Sequence, residues 1–174
     1  MVREVLPPTG RIFRPVDLFG SPYPDCRPEI FHLHASGRDL VAVFNLGPES
    51  RRYRLDLAGM GIAGRCHAWD FRARSYLGTV EGSLEVELPH VSARLYSFTP
   101  ADCDGLPQVL STSFHILQGE VELTVDRRQG RSLSGTLTRP EGDEGFIYVH
   151  DNGRITALPV IGRGAPAPWA YEPE

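Results

Sequence analysis

The sequence predicts an all-β protein: an antiparallel β-sandwich with a second, smaller antiparallel β unit packed against it. Three observations carry that prediction. Tyr53, Leu55 and Leu57 alternate with Arg52, Arg54 and Asp56, and Leu84, Val86 and Leu88 alternate with Ser83, Glu85 and Glu87, the period of half-buried strands. Leu40 to Leu46 is a nearly continuous apolar run, as in a central strand covered on both faces. Turn signals rich in Gly and Pro recur every ~8–12 residues, the spacing of a sandwich rather than of βαβ units.

Taken in order, residues 1–28 contain Pro7, Pro8, Pro15, Pro22, Pro24 and Pro28 and are expected to form an extended arm, because proline interrupts both helices and ladders. The sandwich spans 29–100. Ile30 to His34 is its first strand, leading through Gly37 into the apolar run, which ends at Gly47-Pro48. DLAGMGIAG (Asp56 to Gly64) is too glycine-rich for a helix and reads as a turn. Cys66 to Phe71 and Ser75 to Val80 form a hairpin around Arg72-Ala73-Arg74.

A second β unit over 101–161 completes or extends the sandwich. In it Val121, Leu123 and Val125 alternate with polar neighbours and predict a strand, with a turn at Arg127 to Arg131 and a return over Ser132 to Thr138. Phe146 to His150 and Arg154 to Leu158 flank Asp151-Asn152-Gly153, whose Asn-Gly pair is a strong hairpin signal. Residues 162–174 are Gly/Pro-rich and are expected to be a flexible tail.

The order VAVFN, LDLAGMGIAG, AWDF, YLGTVEGSLEVELP and ARLYSFTP resembles the C-terminal all-β domain of α-galactosidase-like (melibiase-type) glycoside hydrolases. In that family a V-A-L-F-N-W strand opens the domain and a V-x-L-P-P-H turn leads into its last strand. Here Val43, Phe44 and Asn45 match the opening strand, with Leu46 in place of the Trp. Trp69-Asp70, Leu77-Gly78 and Pro89-His90 match later landmarks. The likeness extends to RPVDLF (Arg14 to Phe19) and PQVLSTSFHILQG (Pro107 to Gly119), about 14–125 in all. The resemblance implies a non-catalytic accessory domain whose partner is a catalytic (β/α)8 barrel. A barrel needs ~250 residues of alternating strands and helices, and neither the length nor the helices are in these 174 residues.

Composition narrows the classes further. The formal net charge is −4, with 18 basic residues, all Arg, against 22 acidic ones, so no nucleic-acid footprint is expected. No window approaches the length of apolar sequence that crosses a membrane, and Met1 to Gly10 has no signal-like core; a cytoplasmic protein without membrane partners is expected. Cys26, Cys66 and Cys103 are odd in number and lack metal spacing, which predicts free thiols.

Candidate chemistry is sparse. His32 and His34, two apart on a strand, share a face as metal ligands would, but the following residues do not continue a cupin-like pattern. His115 stands without ligand partners at useful spacing. No metal or other cofactor is expected. No catalytic residue is assigned: glycoside hydrolysis needs two positioned carboxylates, and the most suggestive one, Asp70, reads as a turn residue that bonds local amides. Carbohydrate is the remaining possible ligand, and an independent carbohydrate-binding module is the alternative function. Its candidate residues are Trp69, Asp70, Tyr76 and Tyr148, since sugars stack on exposed aromatics. Trp69 and Tyr96 read better as core fillers, Tyr76 and Tyr148 stay undecided, and Trp169 could dock on a neighbour.

Overall fold

The structure is a computed structural model. It describes residues 4, 9–18, 27–35, 37–101, 105–125 and 127–173. Cys26, Cys103 and much of the proline-rich arm lie outside the described residues. The chain is almost entirely β, as the alternation predicts, and separates into two compact units, Gly10–Asp102 and Met1–Thr9 with Cys103–Glu174.

The Gly10–Asp102 unit is a two-layer sandwich. Its larger sheet has the order β1-β2-β3-β8-β5-β6, all antiparallel, from β1 (Arg14–Pro15), β2 (Ile30–Ala35), β3 (Arg38–Asn45), β5 (Arg65–Asp70), β6 (Ser75–Glu81) and β8 (Ser92–Pro100). The second layer is the pair β4 (Arg51–Asp56) and β7 (Ser83–Leu88). Register sets what each face offers: Tyr53 lies opposite Val86 and Leu55 opposite Leu84. Their apolar side chains meet Val41, Val43, Cys66, Ala68, Tyr96 and Phe98 of the larger sheet in one core. Each fully buried Leu or Val there contributes roughly 1.5–3 kcal/mol. Leu40 and Val41, neighbours on opposite faces of β3, are both fully buried, as the apolar run predicts. Cys66 is a buried free thiol. Within the arm, Arg14 and Pro15 do pair, with His32 and Phe31, a ladder of two residues on the sheet edge, where proline is tolerated.

The other unit carries two three-stranded sheets. One has the order β10-β11-β14, from β10 (Arg127–Gln129), β11 (Ser132–Leu137) and β14 (Ala167–Tyr171). The other has the order β13-β12-β9, from β9 (Gln108–Thr112), β12 (Glu144–Asp151) and β13 (Arg154–Ile161). Val109, Leu133, Ile147, Val149, Trp169 and Tyr171 belong to a common core. Asp151 pairs with Arg154, so Asn152 and Gly153 form a two-residue loop. Both have φ > 0, at 47° and 81°, the primed turn that Asn-Gly favours.

Two expectations are corrected here. Residues 162–174 are not a flexible tail throughout: 167–171 form β14, paired with β11 from Leu137↔Ala167 to Leu133↔Tyr171, with Trp169 and Tyr171 buried. Its Pro168 escapes the usual penalty because β14 is an edge strand. Residues 121–125 are not a strand. They follow a run of turns in which the Gln118 amide donates to His115, Glu120 to Leu117 and Leu123 to Gly119, and they make one isolated bridge, Leu123↔Leu137, flanked by the bonds from Thr124 N to Thr136 O and from Thr138 N to Glu122 O. The strand opposite β11 comes later, at 127–129, where the turn was expected.

Candidate functional site

Three places hold the polar side chains singled out by the sequence. The first is the corner after β5. Asp70 is buried, and its Oδ1 accepts hydrogen bonds from the Arg72 and Ala73 amides, both at 2.9 Å. Its Oδ2 lies 3.6 Å from Arg94 Nε. This is the amide-binding turn role, and it occupies the carboxylate. Burial pushes the Tyr96 hydroxyl up to about 12, with the Asp70 charge adding to the rise and Arg94 opposing it. Tyr96 packs in the core and Trp69 is 2% exposed. On β6, half-buried Tyr76 sets its hydroxyl 2.8 Å from His67 Nδ1 and 3.2 Å from Thr79 Oγ1. Tyr148 is 6% exposed, with Phe146 beside it at 6.2 Å between ring centroids. Trp169 is buried and donates from Nε1 to the Thr124 carbonyl. Of Trp69, Asp70, Tyr76 and Tyr148, three are buried, and Tyr76 is half-buried with its hydroxyl engaged.

The second place joins the sequence landmarks of the resemblance. Asn45, at the end of β3 and 1% exposed, donates from Nδ2 to the carbonyls of Glu49 (2.7 Å), Leu88 (3.1 Å) and Pro89 (2.8 Å). Its Oδ1 accepts from the Gly47 amide at 3.0 Å. The Ser92 hydroxyl donates to Pro89 O, and the Val91 amide to Gly47 O. The Phe-Asn strand end and the Leu-Pro-His turn are thus tied by one amide side chain. Gly78 has φ +98° beside the register shift between Ala68 and Trp69, a conformation that requires glycine at the L-G-T-V landmark. These landmarks have structural work to do.

The third place was only half visible in the sequence. His34 lies opposite Asp39 across the β2–β3 hairpin. Asp39 Oδ1 is 2.8 Å from His32 Nε2 and 2.9 Å from His34 Nδ1. One carboxylate oxygen thus bridges the two rings. Among the described residues no group of three or more His, Cys, Asp or Glu is placed to hold a metal ion. A cleft of about 570 Å³ opens beside them, lined also by Gly10, Arg11, Ile12 and Arg14. The HxH pair was the only sequence signal for it; the arginines come from a stretch that composition marks simply as an arm.

His115 is buried, accepts from the Leu117 amide at Nδ1 (3.0 Å), and sits near two other buried polar contacts, Ser111 to Gln118 and Thr112 to Glu122. It serves the 115–123 turns.

No family model matches this chain, and no curated protein matches it. Among solved structures it is similar to a GH27 β-L-arabinopyranosidase from Geobacillus stearothermophilus, at 28% identity and a TM-score of 0.42, over 44% of this chain and 18% of that one. It is also similar to α-galactosidase I from Mortierella vinacea, at 13% identity and a TM-score of 0.36, over 41% of this chain and 21% of that one. The chain spans about a fifth of the length of either enzyme, and no residue role is carried over from them. No helix among the described residues is long and apolar enough to cross a membrane.

Proposed function

We propose that this chain is a non-catalytic accessory β domain of a glycoside hydrolase and packs against a catalytic (β/α)8 barrel. The observation that supports this reading is the Asn45 tie. The residues that carry the family resemblance are spent on holding two strand ends together, and the one suggestive carboxylate, Asp70, is spent on a turn. Along the same strand end Phe44 (36% exposed) and Leu46 (42% exposed) leave apolar surface, with Phe31 packed edge-on against Phe44 at 5.6 Å. A barrel flank would cover such surface, and an isolated domain gains nothing by exposing it.

The test is an assay of the purified chain on aryl α-galactosides, α-glucosides and β-L-arabinopyranosides. The expected outcome is no turnover above buffer. Turnover that copurifies with the chain and is abolished by Asp70→Asn overturns the reading.

A further inference from the structure

The cleft beside His32 and His34 is not used by the accessory role. Its walls are charged and donor-rich. Arg11 and Arg14 line it, both exposed, with Ile12 between them in sequence at 76% exposure. The two imidazoles line it too, His32 opposite Arg14 in the β1–β2 ladder and mostly buried, His34 open, with side-chain exposures of 17% and 76%. Asp39, 15% exposed, engages one nitrogen of each ring and so fixes both orientations. His32 Nδ1, His34 Nε2 and the Arg14 guanidinium have no partner among the described residues. The cleft therefore offers the Arg14 guanidinium, ring nitrogens held in place, and an aliphatic flank, in a volume of about 570 Å³. Small-ligand sites run to roughly 300–1,000 Å³ and combine apolar walls with a few convergent polar groups.

We propose that this cleft binds a sugar-sized ligand carrying an oxyanion, a carboxylate or a phosphoryl group. Arg14, with Arg11 beside it, takes the oxyanion, because a guanidinium fork matches two oxygens at once. His32 Nδ1 and His34 Nε2 bond hydroxyls. In the neutral rings these atoms are acceptors, since the Asp39-facing nitrogens carry the protons. Ile12 covers part of the ligand's apolar face. The chain's net charge of −4 makes this local cationic wall a departure from its surroundings. The proposal stands apart from the accessory reading: a domain that packs on a barrel could bind such a ligand or not, and the measurements below do not involve a barrel.

The test uses the full chain in low-salt buffer at pH 7, titrated with D-galacturonate, glucose 6-phosphate and neutral galactose by amide NMR and calorimetry. Saturable binding of at least one charged probe is expected, with a Kd on the order of 1–10 mM, appropriate to an open cleft. Shifts should centre on residues 10–14 and 32–34, and galactose should bind at least tenfold more weakly. Arg14→Gln should weaken the charged probe about tenfold, the scale of one charge-assisted hydrogen bond. His34→Gln should weaken it about threefold, and Arg52→Gln, exposed on the second layer, should leave it unchanged. Binding of galacturonate alone identifies a carboxylated sugar, and binding of glucose 6-phosphate alone a phosphorylated one. The proposal is overturned if neither charged probe saturates by about 50 mM, if galactose binds equally well, or if Arg14→Gln leaves the Kd unchanged.

Discussion

Asn45 gives the sharpest test of how the sandwich is held. Replacing it by Ala deletes a donor pair shared among the carbonyls of Glu49, Leu88 and Pro89 and an acceptor used by the Gly47 amide. The Leu88 and Gly47 contacts are buried, and the other two are partly buried, where water can replace some of the loss. Counting about 0.5 kcal/mol for each of the two partly buried bonds and about 1–1.5 kcal/mol for each of the two buried groups left unsatisfied gives ~3–4 kcal/mol. That is a large share of the ~5–15 kcal/mol stability of a typical domain. Asn45→Asp keeps the Gly47 contact but turns a carboxylate toward three carbonyl oxygens, and should cost at least as much at pH 7. Near pH 4, where a protonated Asp regains one O–H donor, part of that loss should return.

The assay must report on the right unit, and the two tryptophans allow it: Trp69 lies in the Gly10–Asp102 unit and Trp169 in the other. In a Trp169→Phe background, urea unfolding followed by Trp69 fluorescence should show a midpoint lowered by about 2 M, for an m-value near 1.5 kcal/mol/M. A shift worth less than about 0.5 kcal/mol for Asn45→Ala, or an Asp variant as stable as wild type, refutes the reasoning.

Further predictions follow from single contacts. Val91 is a β-branched residue held at φ +43° and 74% exposed, so Val91→Asn should stabilise the Gly10–Asp102 unit by roughly 0.5–1 kcal/mol, read as a higher urea midpoint. A Cβ at Gly135 would overlap the Thr124 carbonyl and crowd Trp169 Nε1, so Gly135→Ala should cost about 2–3 kcal/mol and lower the thermal midpoint seen by Trp169. Tyr171→Phe removes the hydroxyl that donates to Asp151 Oδ2 at 3.0 Å and should cost about 1–2 kcal/mol by the same probe. Burial lowers the proton affinity of His150, with Asp151 opposing. Its contribution is thus fully present above the ordinary histidine range and is lost as pH falls below about 6.5. His150→Asn should flatten the pH 7.5 to 5.5 stability slope of its unit, and an unchanged slope would count against this assignment.

The strands were legible wherever apolar alternation coincided with the core-facing phase. Tyr53, Leu55 and Leu57 are buried and their Arg and Asp neighbours exposed, so pattern and structure agree. At 121–125 the same alternation misled, because its phase is wrong for burial: Glu122 is buried against the Thr112 hydroxyl while Val125 is 44% exposed. Local turn bonds hold the residues that lead into this segment, and only Glu122 and Thr124 reach across to 136–138 through their backbone, too short a stretch to make a strand. Strand β14 was hidden by its Pro168, harmless on a sheet edge. Of the candidate sites, the Asp70 turn could be read locally. The cleft could not, since Asp39 meets the histidines through hairpin register and Arg14 through a two-residue edge pairing, neither of which side-chain spacing reveals.

The late position of β14 in the chain also bears on synthesis. Trp169 and Tyr171 fill a core whose other walls are built from residues 109–160. While the ribosome still holds residues 167–171, those walls have nothing to close on, whereas the Gly10–Asp102 sandwich already has every strand it needs. The two units should therefore mature in sequence on the nascent chain, the sandwich first. Until the final strand emerges, the later unit is the part most in need of chaperone protection.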